Sequence, residues 1–374
     1  VSTNDSKGHI VELQSLRGIA ALAVMIGHTV NFYDLPKTGF DWAALFNGRA
    51  SVVLFFVLSG FVLTKALQSS SLDVRSLARF YIRRFARIYP AIWAVSVLGL
   101  LYLVFFHWTI PVEGMSEFFR ARFKPERMDA LHIAASFAGG LAFIIPQLWS
   151  IFVEIVASLA LPFIVYAAFR KRGLFYLAFA AAFVASVTFG PRTYYHVGLY
   201  AVDFFLGVQI AILGPRGRAL VAAARPFAGW LIAACGIGLI LSLYLPFDYY
   251  DPRAATIEAG LATALIGLVV YSGVEVRLLK SRLALFLGDI SYSLYLLHFL
   301  VACLMVKAIA VSERAFGIAL APLPKTILLA GLTVIFTIPA SSVLYDKVEK
   351  GGIALGKWLA GMVRPSRGAA AARA

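Results

Sequence analysis

Cysteine is nearly absent from the chain, with Cys235 and Cys303 the only two in 374 residues. Both fall inside apolar runs, which excludes a disulfide framework and a cysteine-built metal site. Acidic residues are also scarce, 19 against 34 Lys and Arg, for a net charge of +15. In a soluble chain that excess would suggest a nucleic-acid partner. Here the cations stand between apolar runs and near the C-terminus, a pattern that orients membrane helices and calls for no nucleic acid. Alternating apolar and polar segments are missing, so a β-barrel is excluded. No P-loop, GxGxxG or metal-ligand cluster occurs, and no period of about 20 to 50 residues repeats. The first dozen residues, VSTNDSKGHIVE, lack an apolar stretch with a small-residue cleavage site, so the first hydrophobic segment is expected to remain in the protein.

What the chain has in excess is apolar side chain. Hydrophobic residues make up 61% and charged residues 14%, more than one soluble core could bury. The expected fold is an all-α polytopic membrane protein of about ten transmembrane helices, each close to the 20 residues that cross about 30 Å of hydrocarbon. The spans read as 12–32, 50–68, 87–106, 147–169, 174–190, 195–213, 227–246, 255–273, 285–310 and 323–346. Residues 131–145, LHIAASFAGGLAFII, are apolar but short, with a Gly-Gly pair and Pro146 following, which suits a re-entrant or interfacial segment. Left out of the count, that segment puts both termini in the cytoplasm and most Lys and Arg with them. Counted as a span, it would move the last four basic groups outside, against the positive-inside rule. Residues 1–346 read as one integral-membrane domain and 347–374 as a cytoplasmic tail, an amphipathic surface helix with a disordered end. The longest outer loop, 107–130, is aromatic and of mixed charge. It reads equally as a substrate mouth and as an interfacial loop.

An ionisable group within a span costs about 2.5 to 3.5 kcal/mol on insertion scales, so each one asks for a partner or a task. In ELQSLRGIAALAVMIGHTV, His28 follows Arg17 by eleven residues, about 20° past three full turns, so both lie on one helix face about 16 Å apart. Either Arg17 reaches the headgroups and His28 bonds a neighbouring helix, or the face joins an anion site to a group that takes up a proton. Glu154, the one carboxylate of QLWSIFVEIVASLALP, lies at a depth similar to His28, where it either makes a packing hydrogen bond or orients the imidazole. In SYSLYLLHF, Ser291, Tyr295 and His298 form one polar stripe at i, i+4 and i+7. Ser59 and Gly60 in FFVLSGFVL suit close helix packing or a narrow passage for a thin ligand. In RFYIRRFARIYP, Arg79, Arg83 and Arg87 recur every fourth residue beside Arg84, fixing topology or clamping phosphates. Asp203 in YAVDFFLGVQIAIL could pack helices or serve a site equally well.

These segments, in this order, resemble the integral-membrane acyltransferase family 3, and the likeness covers most of the chain. Arg, ten intervening residues, then His is that family's leading signature, and it falls on Arg17 and His28. The resemblance also places an Arg-x-x-Arg motif on Arg84 and Arg87, a small-residue motif on Ser59, Gly60 and Phe61, and an acidic position on Glu154. It implies an O-acyltransferase of the bacterial inner membrane that takes an acyl group, acetyl by preference, from cytoplasmic acyl-CoA. The acceptor it implies is a hydroxyl of a cell-envelope carbohydrate or similar glycoside at the outer side, and no metal takes part. On that reading Arg83, Arg84 and Arg87, with Arg17, hold the CoA phosphates. The pantetheine arm passes Ser59 and Gly60, and His28 acts as general base, steered by Glu154 or by Tyr295 and His298. Activity should then fall below about pH 6.5, the ordinary imidazole value. Beyond lipids and acceptor, the partners this implies are a separate periplasmic esterase or transferase, or a second copy of the chain. The competing reading from composition and intramembrane charge is a proton-coupled transporter of a small anionic or sugar-like solute.

Overall fold

A computed structural model describes residues 10–35, 45–68, 70, 72–106, 114–120, 129–140 and 144–363. Among these the protein is helical throughout, apart from an isolated antiparallel bridge between Tyr33 and Met115. Among the described residues ten helices are long and apolar enough to cross a membrane, some of them together with the 3₁₀ turns that extend them, as where Ala228–Leu241 lengthens to Arg225–Tyr244. We label the spanning helices α1 (Val11–Val30), α2 (Gly48–Leu67), α3 (Val74–Phe105), α4 (Leu148–Arg170), α5 (Arg172–Phe189), α6 (Val197–Leu213), α7 (Ala228–Leu241), α8 (Pro252–Tyr271), α9 (Ser291–Phe316) and α10 (Pro322–Leu344). The protein is a multi-pass membrane protein, as its apolar runs require.

Local chemistry sets the helix ends. The Asn47 side chain accepts the Ala50 N–H at 3.1 Å to start α2, and Asp73 accepts the Ser76 N–H at 2.8 Å to start α3. α3 begins thirteen residues before its apolar run, so the whole arginine stretch 79–87 is helical. Its 32 residues extend about 48 Å, more than the hydrocarbon thickness, which leaves its first turns beyond the bilayer core. Ala130–Phe137 is an eight-residue helix that ends before Gly139 turns the chain at φ +74°. At about 12 Å it is too short to cross, in line with a non-spanning segment there.

Two expected spans are built differently. The run 285–310 divides into a short helix, Arg282–Asp289, and α9, with the break at Ile290. The short piece lies against α1, where the Gln14 amide donates to Asp289 Oδ1 at 2.6 Å. The tenth span does not stop at 346. A π-helical turn, Tyr345–Glu349, leads into α11 (Lys350–Met362). α11 docks on α3, with Gly352 against Ala86 and Pro90. Residues 350–362, the helical part of the expected tail, thus pack against α3, and residues 364–374 lie outside the described residues.

Helix packing rests on small residues where backbones meet. A Cβ on Gly60 would strike the Phe204 carbonyl, and one on Gly207 the Val57 carbonyl, so α2 and α6 touch backbone to backbone. Away from that contact, a buried ion pair ties α2 to α8. Arg49 Nη2 meets Glu258 Oε1 at 2.9 Å with both side chains almost fully buried. Asn47 and Ser242 also donate to Oε1, at 3.2 and 2.6 Å. Neither was singled out from the sequence, although Glu258 is the one charged residue of the expected span 255–273.

Candidate active site

A cavity of about 1400 Å³ opens within the bundle between α1, α2, α3, α4 and α9. Its basic end is walled by Arg17, Arg79, Arg83, Arg84 and Arg87. The spacing of α3 explains the arrangement: 79, 83 and 87 share one face, while Arg84 is turned about 100° from Arg83 and reaches α4. There its Nε donates to Ser158 Oγ at 2.9 Å and its guanidinium pairs with Glu154. Ser59 Oγ donates to the same carboxylate at 3.3 Å. The other arginines are less committed. Arg87 faces Glu349 at 3.6 Å, and Arg17, on α1, has no hydrogen bond or ion pair among the described residues. Arg17 lines the same end of the cavity as Arg84, Arg87 and Glu154.

Farther along, Ser59, Phe61, Phe55 and Tyr295 line the cavity. Gly60 does not line it; that glycine is spent on the α2–α6 contact, and Ser59 and Phe61 on either side of it face the space. The Tyr295 hydroxyl shares a 2.6 Å hydrogen bond with Ser150, and its ring lies 5.7 Å from that of His298. His28 and His298 stand just behind this tyrosine.

The two histidines form the chemical centre of the arrangement. His28 Nδ1 lies 2.8 Å from His298 Nε2, with the rings stacked at 5.1 Å. His298 Nδ1 lies 2.7 Å from the Tyr295 carbonyl oxygen. A carbonyl only accepts, so His298 must carry its proton on Nδ1 and present a lone pair at Nε2. That lone pair accepts the Nδ1 proton of His28, which leaves the lone pair of neutral His28 on Nε2. The backbone of α9 therefore fixes, through His298, which nitrogen of His28 is basic. Aromatic side chains close the pocket around it: Phe119 and Phe299 meet the His28 ring edge-on at 6.4 and 6.2 Å, and Phe119 stacks on Phe32 at 4.6 Å. Of the loop 107–130 only residues 114–120 and 129–130 are described. The former bring Phe119 to this pocket, held by Ser116 Oγ donating to the Asn31 carbonyl at 2.8 Å.

The structure thus gathers eight of the sequence-derived site residues around one cavity. They are Arg17, Ser59, Phe61, Arg83, Arg84, Arg87, Glu154 and Tyr295, with His28 and His298 behind Tyr295. Two placements differ from expectation. Gly60, expected along the ligand's passage, lies in the α2–α6 contact. Glu154 does not orient His28; its partners among the described residues are Arg84 and Ser59, and His298, the other steering residue expected, meets His28. Asp203, which the sequence left open between packing and a site, is buried on α6 and does not line this cavity. Sequence reasoning missed Ser150, Phe119, Phe299 and Glu349. Only Phe119 had a signal, the aromatic content of its loop.

The described residues thus form a multi-pass helical bundle in which an arginine-walled cavity ends at Tyr295, beside a pair of hydrogen-bonded histidines. The chain belongs to the integral-membrane acyltransferase family 3, whose acyltransferase domain matches residues 10–345. It is similar to the peptidoglycan O-acetyltransferase OatA of Listeria monocytogenes, 24% identical over 367 residues that cover 89% of this chain and 56% of the relative. It is also similar to nodulation protein 10 of Rhizobium leguminosarum bv. viciae, 26% identical over 80% of this chain and 85% of that protein. A third relative, the putative peptidoglycan O-acetyltransferase YrhL of Bacillus subtilis, is 25% identical over 87% of this chain and 54% of its own length. The chain spans little more than half the length of OatA and YrhL. No solved structure matches it.

Proposed function

We propose that the protein carries an acyl group, acetyl by preference, from acyl-CoA on the cytoplasmic side to a carbohydrate hydroxyl on the outer side of a bacterial plasma membrane. The single observation that carries this reading is the cavity. It runs from Arg17, Arg83, Arg84 and Arg87 to Tyr295, and Tyr295 abuts the His28–His298 pair. Guanidiniums at one end suit the CoA phosphates. The pantetheine arm, about as long as half a bilayer is thick, then reaches past Ser59 and Phe61 toward His28. Because Arg84 is tied to Glu154, the arginines left to grip phosphate most directly are Arg17, Arg83 and Arg87.

In the transfer step the acceptor hydroxyl oxygen attacks the thioester carbonyl carbon as its proton passes to His28 Nε2. The carbon–sulfur bond breaks and CoA leaves as thiolate. His298 cannot pass the proton onward, since its Nδ1–H is committed to a backbone carbonyl, so His28 itself returns the proton to the thiolate. The products are ester and CoA thiol. His298 holds the orientation and shares the imidazolium charge of the transition state.

Two relatives are named for peptidoglycan, which makes a peptidoglycan glycan chain the first acceptor to test. Purified protein in nanodiscs with acetyl-CoA and glycan chains should release free thiol and form ester, and a folded His28→Ala variant should lose both by about 10²-fold or more. Native-rate transfer by that variant would remove His28 from its role. Acceptor-independent trapping of labelled acyl group on the protein would replace direct transfer by an acyl-enzyme route. The absence of thiol release from the unaltered protein would favour a transporter.

A further inference from the structure

Glu349 is a deeply buried carboxylate that the transfer scheme leaves without a task. It is 1% exposed, and a carboxylate so deep in a spanning helix needs a compensating partner. Ser293 Oγ donates to Oε2 at 3.0 Å, while Oε1 accepts no hydrogen bond among the described residues and faces the Arg87 guanidinium at 3.6 Å. Ser293 lies on α9, five residues before His298. Glu349 therefore stands between the arginine helix and the histidine helix.

The backbone goes out of its way to put it there. Tyr345–Glu349 is a π-helical turn within an otherwise α-helical run. Such a turn accommodates one extra residue, which rotates the helix beyond it by about 100°, and π-turns are frequent at functional sites. Directly after it, α11 clamps onto α3: a Cβ on Gly352 would collide with the Ala86 carbonyl, and Gly356 lies against Ala86 and Arg83. The π-turn and the glycine contact together fix Glu349 against the segment of α3 that carries Arg83 and Arg87.

We propose that Glu349 is a positioning residue for the donor site, holding Arg87 where it meets the phosphates of the acyl donor. This rests on the donor reading given above. It pairs Glu349 with Glu154 as two carboxylates behind the arginine wall, one on Arg87 and one on Arg84, and it gives α11 a purpose: to carry that carboxylate to α3.

The sign of one measurement separates positioning from a bare charge effect. Deleting a negative charge beside an anion site strengthens anion binding if the carboxylate acts only through its field. Loss of a positioned guanidinium weakens it. The test is CoA binding to the full chain in nanodiscs, with inorganic pyrophosphate as competitor, alongside steady-state KM for acetyl-CoA and kcat. Glu349→Gln keeps an acceptor for Ser293 and should raise the CoA dissociation constant and the donor KM about tenfold, as for one lost charge-assisted contact, with kcat nearly unchanged. Glu349→Gln combined with Arg87→Gln should be no weaker than Arg87→Gln alone. Ser293→Ala, which leaves the charge in place and frees the carboxylate, should shift binding the same way by less, and it decides the matter if Glu349→Gln does not fold. Unchanged or tighter CoA binding in these variants overturns the inference while leaving the donor reading intact. A wild-type protein that binds neither CoA nor pyrophosphate overturns both.

Discussion

At the scale of single residues, the proposed chemistry rests on the hydrogen bond from His298 to the Tyr295 carbonyl, because it sets which nitrogen of neutral His28 bears the lone pair. His298→Ala should therefore lower kcat by about 10²- to 10⁴-fold, within the span of general-base effects, with little change in donor KM. His298→Gln should recover part of that loss, since its amide oxygen can accept the His28 Nδ1 proton. Equal loss in both variants would speak against tautomer control. Glu154 makes the complementary case. Its contacts are Arg84 and Ser59, so Glu154→Gln should act on donor KM and leave the pH profile of kcat as it is; a shifted profile would return it to the base. The sequence showed that Arg17 and His28 share a face, because both lie on one helix and a fixed rise and twist relate them. It could not show that Glu154 meets Arg84, 70 residues earlier in the chain, or that His28 meets His298, 270 residues later. Depth along a span is readable from hydropathy, whereas rotation between spans is set by packing.

At the scale of elements, small residues and buried charge decide which helices touch. Gly60 illustrates how one motif serves two ends: the glycine brings α2 against α6, and this contact turns Ser59 and Phe61 to the cavity. Gly60→Ala should lower stability by about 1 to 3 kcal/mol, the usual cost of overpacking, read as a drop in the thermal midpoint in detergent. A stable variant with altered donor affinity would instead make Gly60 part of the passage. Glu258→Ala leaves Arg49 buried without its carboxylate and should cost roughly 3 to 5 kcal/mol by the same measurement. The arginine run was visible as charge, but its being the first turns of α3 was not, since hydropathy marks only where the apolar stretch begins. The π-turn at Tyr345–Glu349 had no sequence signal either, since hydropathy does not mark a one-residue change of helical register.

At the scale of the whole molecule, the hydrophobic pattern alone specified an all-helical bundle of about ten spans, and the short segment near 131–145 stays out of that count because eight helical residues cannot cross the bilayer. What the bundle adds is a cavity walled by arginines at one end and reaching Tyr295 beside the histidine pair at the other; on the proposed reading donor and acceptor need never occupy the same compartment. Proteoliposomes of one orientation, loaded with labelled acetyl-CoA on the side of the arginine end and given glycan acceptor only on the opposite side, test this directly. The account predicts labelled ester on the far-side acceptor and free CoA thiol on the near side in equal amounts. Ester formed only when donor and acceptor share one side would contradict it.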